Sequence, residues 1–142
     1  MRKQIFYRQL HLGFILLIAV SLLESCDPAQ MLEIKTAGKP NCSVTIYANR
    51  NILPYNDGKQ NEKLILRIPK IGSKPVTDTT FSYGIGGWPD KNGMQKFSKN
   101  IDSIIIISNG IRLGLINQEA ITEYLVKHRH GFGKSILTIE AK

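Results

Sequence analysis

The alternation of apolar and polar side chains carries most of what this chain discloses about its fold. Residues 43–48 put Val44, Ile46 and Ala48 on one face and Thr45 and Tyr47 on the other, the period-two pattern of a half-buried strand. Residues 63–68 repeat it, with Leu64, Leu66 and Ile68 inward and Lys63, Ile65 and Arg67 outward. Pro69 ends that run, because proline cannot donate to a ladder. A third strand is predicted over 79–85, with Phe81, Tyr83 and Ile85 on one face. Ile104, Ile105, Ile106 and Ile107 form an unbroken β-branched run, which predicts a central strand covered on both sides. Asn109-Gly110 is a hairpin signal, since both residues accept positive φ. It leads into 111–116, where Ile111, Leu113 and Leu115 alternate with Arg112 and Gly114. A turn into an irregular connection is the alternative there. Residues 135–141 close the chain as a strand with Leu137, Ile139 and Ala141 on one face.

One stretch changes period. Ile121, Tyr124, Leu125 and His128 fall at i, i+3, i+4 and i+7 and predict an amphipathic helix over 118–130. Asn117 is its N-cap candidate, Glu119 sits at the positive end, and Lys127 and Arg129 sit at the negative end. Glu123 and Lys127 are spaced for an i,i+4 pair, and Gly131 is placed for a left-handed cap. Residues 27–41, with Pro28, Gly38 and Pro40, show little periodicity and are expected to be a tether. Residues 49–61 and 86–100 are expected to be loops, the second carrying Trp88, Pro89 and Gly93. One helix among strands implies α+β: a largely antiparallel sheet of five to six strands with one covering helix. A β-sandwich with an incidental helix is the alternative.

The amino-terminal segment adds an address. Arg2, Lys3 and Arg8 precede an apolar run at 14–23, a cationic region followed by a short hydrophobic one, as in a secretory signal. A spanning helix needs about 20 apolar residues, twice this run. Leu23-Glu24-Ser25-Cys26 resembles the lipobox of bacterial lipoproteins. Leu23, Ser25 and Cys26 match that pattern, and Glu24 departs from the small or aliphatic residue usual there. The resemblance implies cleavage before Cys26, a diacylglyceryl thioether on its sulfur and an acyl chain such as palmitate on its amine. The expected organisation is a signal peptide at 1–25, a lipidated cysteine and flexible tether at 26–42, and a globular domain at 43–142. Trp88, Phe97, Asp102 to Ile107 and the helix Ile121 to Leu125 together resemble small Bacteroidetes-type envelope lipoproteins, with Ser103 where threonine is usual. That resemblance spans about residues 43–140. It implies an α+β fold and an envelope address, in the inner or outer membrane, and brings no catalytic role.

Composition excludes several classes. With 142 residues, 42% hydrophobic and 21% charged, the chain is neither disordered nor a coiled coil. Its two cysteines are too few for a disulfide scaffold, and a lipidated Cys26 leaves Cys42 single, buried and inert. The formal charge is +8. Lys59, Lys63, Arg67, Lys70, Lys74, Lys91, Lys96 and Lys99 read as a solvated basic face, not a nucleic-acid site, for an exported protein that meets lipid headgroups and glycans.

No catalytic set emerges. His128-Arg129-His130 places its imidazoles about 200° apart on a helix, unsuited to one metal. Gly84-Ile85-Gly86-Gly87 is followed by Trp88-Pro89 and not by a helix with a Lys-Ser/Thr pair, so it reads as a turn, not a phosphate cradle. Neither a cofactor nor a metal is expected. The sequence therefore predicts a membrane-tethered envelope lipoprotein that is a non-enzymatic binding or structural module, meeting an envelope protein or glycan. Trp88 is its candidate partner contact, with Phe81 and Tyr83 assigned to the core. A small envelope hydrolase or enzyme inhibitor is the alternative, and it requires Asp90, His128 or His130 to converge on a cleft.

Overall fold

Among the described residues, strand periodicity is realised as eight strands in two four-stranded sheets, mostly antiparallel, together with two α-helices. The computed structural model describes residues 27–36, 41–55, 58, 59, 62–68 and 78–142; residues 1–25, expected to be a signal peptide, and Cys26, the expected lipidation site, lie outside them. The elements are β1 (Ala29–Lys35), β2 (Ser43–Asn49), β3 (Lys63–Ile68), β4 (Asp78–Ile85), α1 (Lys91–Ser98), β5 (Ile101–Ser108), β6 (Ile111–Leu115), α2 (Gln118–Lys127), β7 (Arg129–His130) and β8 (Ile136–Glu140). Sheet 1 has the order β4-β1-β8-β7 and sheet 2 the order β3-β2-β5-β6. The architecture is mixed α+β with sandwich-like character, and it exceeds the five to six strands and single helix expected. Leu32, Ile34, Leu137 and Ile139 from sheet 1 join Val44, Ile46, Ile104 and Ile106 from sheet 2 in one buried cluster.

The largest departure from the sequence reading is β1. The segment expected to be a tether is an inner strand, antiparallel to β4 and parallel to β8. The folded unit therefore starts at Ala29, not at residue 43. Leu32 and Ile34 are each 1% exposed, so this strand is held by distant partners and not by local propensity. Its apolar alternation covers only two inward hydrophobic positions between Pro28 and the Gly38-Pro40 region, too short to register as a period.

The loop expected over 86–100 contains α1. Asp90 caps it, its Oδ1 accepting from the Gly93 amide at 3.0 Å, which satisfies one of the orphan donors of the first turn. Gly93 is required by packing, since a Cβ there would lie 2.4 Å from Pro89 Cβ. Met94 and Ser98 face inward. The helices are joined by a polar seam: Ser98 Oγ lies 2.8 Å from Thr122 Oγ1, and Lys91 pairs with Glu123 at 3.4 Å. Glu123 thus turns to Lys91 of α1 and not to Lys127.

α2 starts as expected, with Asn117 Oδ1 accepting from the Ala120 amide at 2.7 Å. It ends three residues early. His128 is its C-cap, and Arg129 and His130 leave the helix to pair with Leu137 and Ile136 of β8. Gly131, at φ 78°, serves the turn after β7 and does not cap the helix. The hairpin holds: Asn109 and Gly110 have φ of 51° and 83°, and β6 pairs with β5. Cover on β5 is one-sided, because Ile104 and Ile106 are buried while Ile105 and Ile107 are half-buried. Cys42 is a buried free thiol, its Sγ 3.8 Å from Ser108 Oγ.

Candidate functional site

Trp88 is not on the surface. It is 6% exposed, and its Nε1–H donates to the Met31 carbonyl at 2.8 Å. Its ring meets Tyr83 and Phe97 edge-on, with centroids 5.0 Å and 5.1 Å away. A partner cannot reach a side chain so enclosed, so the expected contact role is corrected to a structural one: the indole ties the loop before α1 to β1. Tyr83 is core as expected, its hydroxyl donating to the Ile52 carbonyl. Burial pushes that phenol well above its ordinary value. The glycine-rich turn is likewise structural, with the Gly86 amide bound to the Pro28 carbonyl at 2.8 Å and the Trp88 amide to the Lys134 carbonyl at 3.0 Å.

An open cleft of about 790 Å³ lies between the two sheets and the end of α2. One wall is apolar. Ile111, Leu113 and Leu115 share the inner face of sheet 2 with Ser108, Ile106 and Ile104, their partners across the ladder. The core covers only one end of this row: Leu115 is 9% exposed, Leu113 46% and Ile111 74%. The overhanging part of β6 lines the cleft beside Ile106 and Tyr124.

The other wall is polar and comes from the face of sheet 1 opposite the core, where Glu33 pairs in register with Thr138 and Lys35 with Glu140. His130 Nε2 lies 2.7 Å from Thr138 Oγ1, which donates to Glu33 Oε2 at 3.1 Å, and Lys35 Nζ lies 2.7 Å from the same carboxylate oxygen. A hydroxyl has one proton, and here it goes to Glu33. His130 Nε2 is therefore the donor to Thr138. Activation of Thr138 as a nucleophile needs the opposite direction, with His130 accepting. Desolvation pulls the Glu33 carboxyl up, yet the hydrogen bonds from Lys35 and Thr138 outweigh it and hold the group below its ordinary value. Lys35 is raised in turn, chiefly by its bond to Glu33.

His128 also lines the cleft. Its Nδ1–H donates to the Tyr124 carbonyl at 2.7 Å and its ring stacks on Tyr124 at 3.9 Å. Asp90 does not join the two histidines in the cleft lining; its carboxylate caps α1. No group of three metal-ligating side chains occurs among the described residues. Both cleft acids are paired, Glu33 with Lys35 and Glu140 with Lys142 at 3.1 Å. Lys127 and Arg129 have no acidic partner among the described residues, Arg129 donating to the Val126 and Pro89 carbonyls. The cleft thus joins an apolar wall to uncompensated positive charge. No sequence pattern announced it, because its residues come from six elements and only the ladder register brings them together.

The linkage at Glu33 gives a first expected result. A carboxyl held below its ordinary value of 4.5 contributes stability that is present above that pH and lost as pH falls through the folded value. Thermal melts between pH 7 and pH 3 should therefore show a shallower acid loss for Glu33→Gln than for the parent chain. The difference should be small, since the pair is partly solvated. Identical acid limbs would show that Glu33 contributes nothing.

Comparison with models of known protein families, with curated protein sequences and with solved structures finds no match to this chain.

Proposed function

We propose that this protein is an exported envelope lipoprotein, held on a membrane through Cys26, that binds a ligand and catalyses no reaction. The observation that carries the binding reading is the cleft: the apolar inner face of β6 runs past its cover into a concavity where Lys127 and Arg129 lack acidic partners among the described residues. A cleft of this chemistry suits an anion with an apolar body, since the apolar wall favours burial and the surplus cations favour negative charge. The anchor reading is supported by the cationic start, the short apolar run and Leu23-Glu24-Ser25-Cys26. Among the described residues no helix is long and apolar enough to cross a membrane.

Two measurements test this. Intact mass of the detergent-extracted protein should give a chain starting at Cys26 with acyl mass, whereas Cys26→Ser should retain the unlipidated precursor. A chain starting elsewhere, or without that mass, removes the anchor. The cleft is probed with naphthalene-2-sulfonate, an aromatic anion, added to the full chain in lipid nanodiscs and followed by saturation-transfer NMR. The signal should saturate with dye. Leu113→Asp, which removes apolar wall and adds repulsion at a half-exposed site, should abolish it. An unchanged signal in Leu113→Asp overturns the cleft as the binding site.

A further inference from the structure

Two large apolar side chains stand in water at the end of sheet 1 where the chain arrives from Cys26. Phe132 is 82% exposed and Ile85 is 73% exposed. Ile85 is opposite Ala29 in the β1–β4 ladder, and Phe132 opens the short turn that precedes β8. The two turns that carry them are fastened together. The Gly86 amide binds the Pro28 carbonyl, the Trp88 amide binds the Lys134 carbonyl, and a Cβ on Gly87 would lie 2.1 Å from the Gly133 carbonyl oxygen. Pro28 Cγ itself approaches Gly133. Pro28, Ile85 and Phe132 therefore belong to one pinned platform.

We infer that this platform is the face on which the domain sits on the lipid surface, with Phe132 and Ile85 inserted at the boundary of headgroups and acyl chains. The inference rests on Cys26 being the lipid-bearing residue. Pro28 is two residues from Cys26, and an extended chain spans at most about 3.6 Å per residue, so Pro28 stands within about 7 Å of it. Interfacial apolar groups reach roughly 5–10 Å into the headgroup boundary. An anchor that short holds the platform against the membrane, where two exposed apolar side chains gain by leaving water. Asp27 and Lys134 flank the patch with opposite charges, so the contact is apolar and does not depend on anionic lipid.

Tryptophan placed at each position reads the contact. The full chain, extracted in detergent and reconstituted in phosphatidylcholine vesicles with or without bromine on the acyl chains, is compared as Phe132→Trp, Ile85→Trp and Lys142→Trp. Lys142 follows β8 at the opposite end of sheet 1 and serves as the water-exposed control. Emission added at 132 and 85 should be blue-shifted and lost to brominated lipid, equally in neutral and anionic vesicles, while emission added at 142 is neither. Emission at 132 and 85 that matches position 142 overturns the inference. A blue shift without bromine quenching also overturns it, because the patch is then covered by protein, either a second copy or residues 1–26. Intact mass of the same sample reads the anchor separately. Acylated Cys26 with water-exposed probes removes only the membrane seat, whereas an unacylated Cys26 removes the anchor and the seat with it.

Discussion

A chain that begins at Cys42 should not fold. Removing the first segment takes away β1, the inner strand that β4 and β8 both pair with, and leaves those strands without a common neighbour. It also removes Leu32 and Ile34, two of the most deeply buried side chains. Circular dichroism should show no cooperative melt for the shortened chain. The point version is Leu32→Ala, expected to cost about 2–5 kcal/mol. For a domain of little more than 100 residues each kcal/mol lowers Tm by roughly 4 °C. A shortened chain that melts cooperatively within a few degrees of the parent would mean that β1 is dispensable after all.

Trp88→Ala should be comparably severe. The indole fills the space between Tyr83 and Phe97 and satisfies the Met31 carbonyl. Deleting such a ring leaves a cavity worth about 3–5 kcal/mol. Urea unfolding should show a lower midpoint with an unchanged slope. Trp88→Phe, which keeps most of the ring volume and loses only the N–H donor, should fall between parent and alanine variant. A midpoint for Trp88→Ala that coincides with the parent would contradict a core role.

What could be read from the sequence follows from how locally each element is specified. β2, β3 and β8 alternate cleanly because one face of each meets the core, and the faces assigned to Val44, Ile46, Leu64, Leu66, Leu137 and Ile139 are those the structure uses. The Asn109-Gly110 turn and the Asn117 cap are local chemistry, legible without knowing the fold. β1 and α1 were not legible. The first owes its place to partners about fifty and a hundred residues away in register. The second shows few apolar positions and a glycine, and is held by the Asp90 cap and by packing on α2. His130 illustrates tertiary override: the helix was expected to run through it, but a ladder with Ile136 claimed it. The cleft was illegible for the same reason, since Glu33 and Thr138 meet only because β1 and β8 lie side by side.

That parallel pairing also sets an order of events during synthesis. Glu33 and Thr138 are ladder partners 105 residues apart, so sheet 1 cannot close until β8 is available. Contacts of such long sequence separation form slowly, because the loop-closure entropy must be met before the pairing returns any stability. A growing chain would keep β1 and β4 without their parallel neighbour and its hydrophobic inner face open to capture by a holding factor. If the chain is exported as proposed, that late closure suits transport before folding, since sheet 1 would assemble only after β8 had crossed.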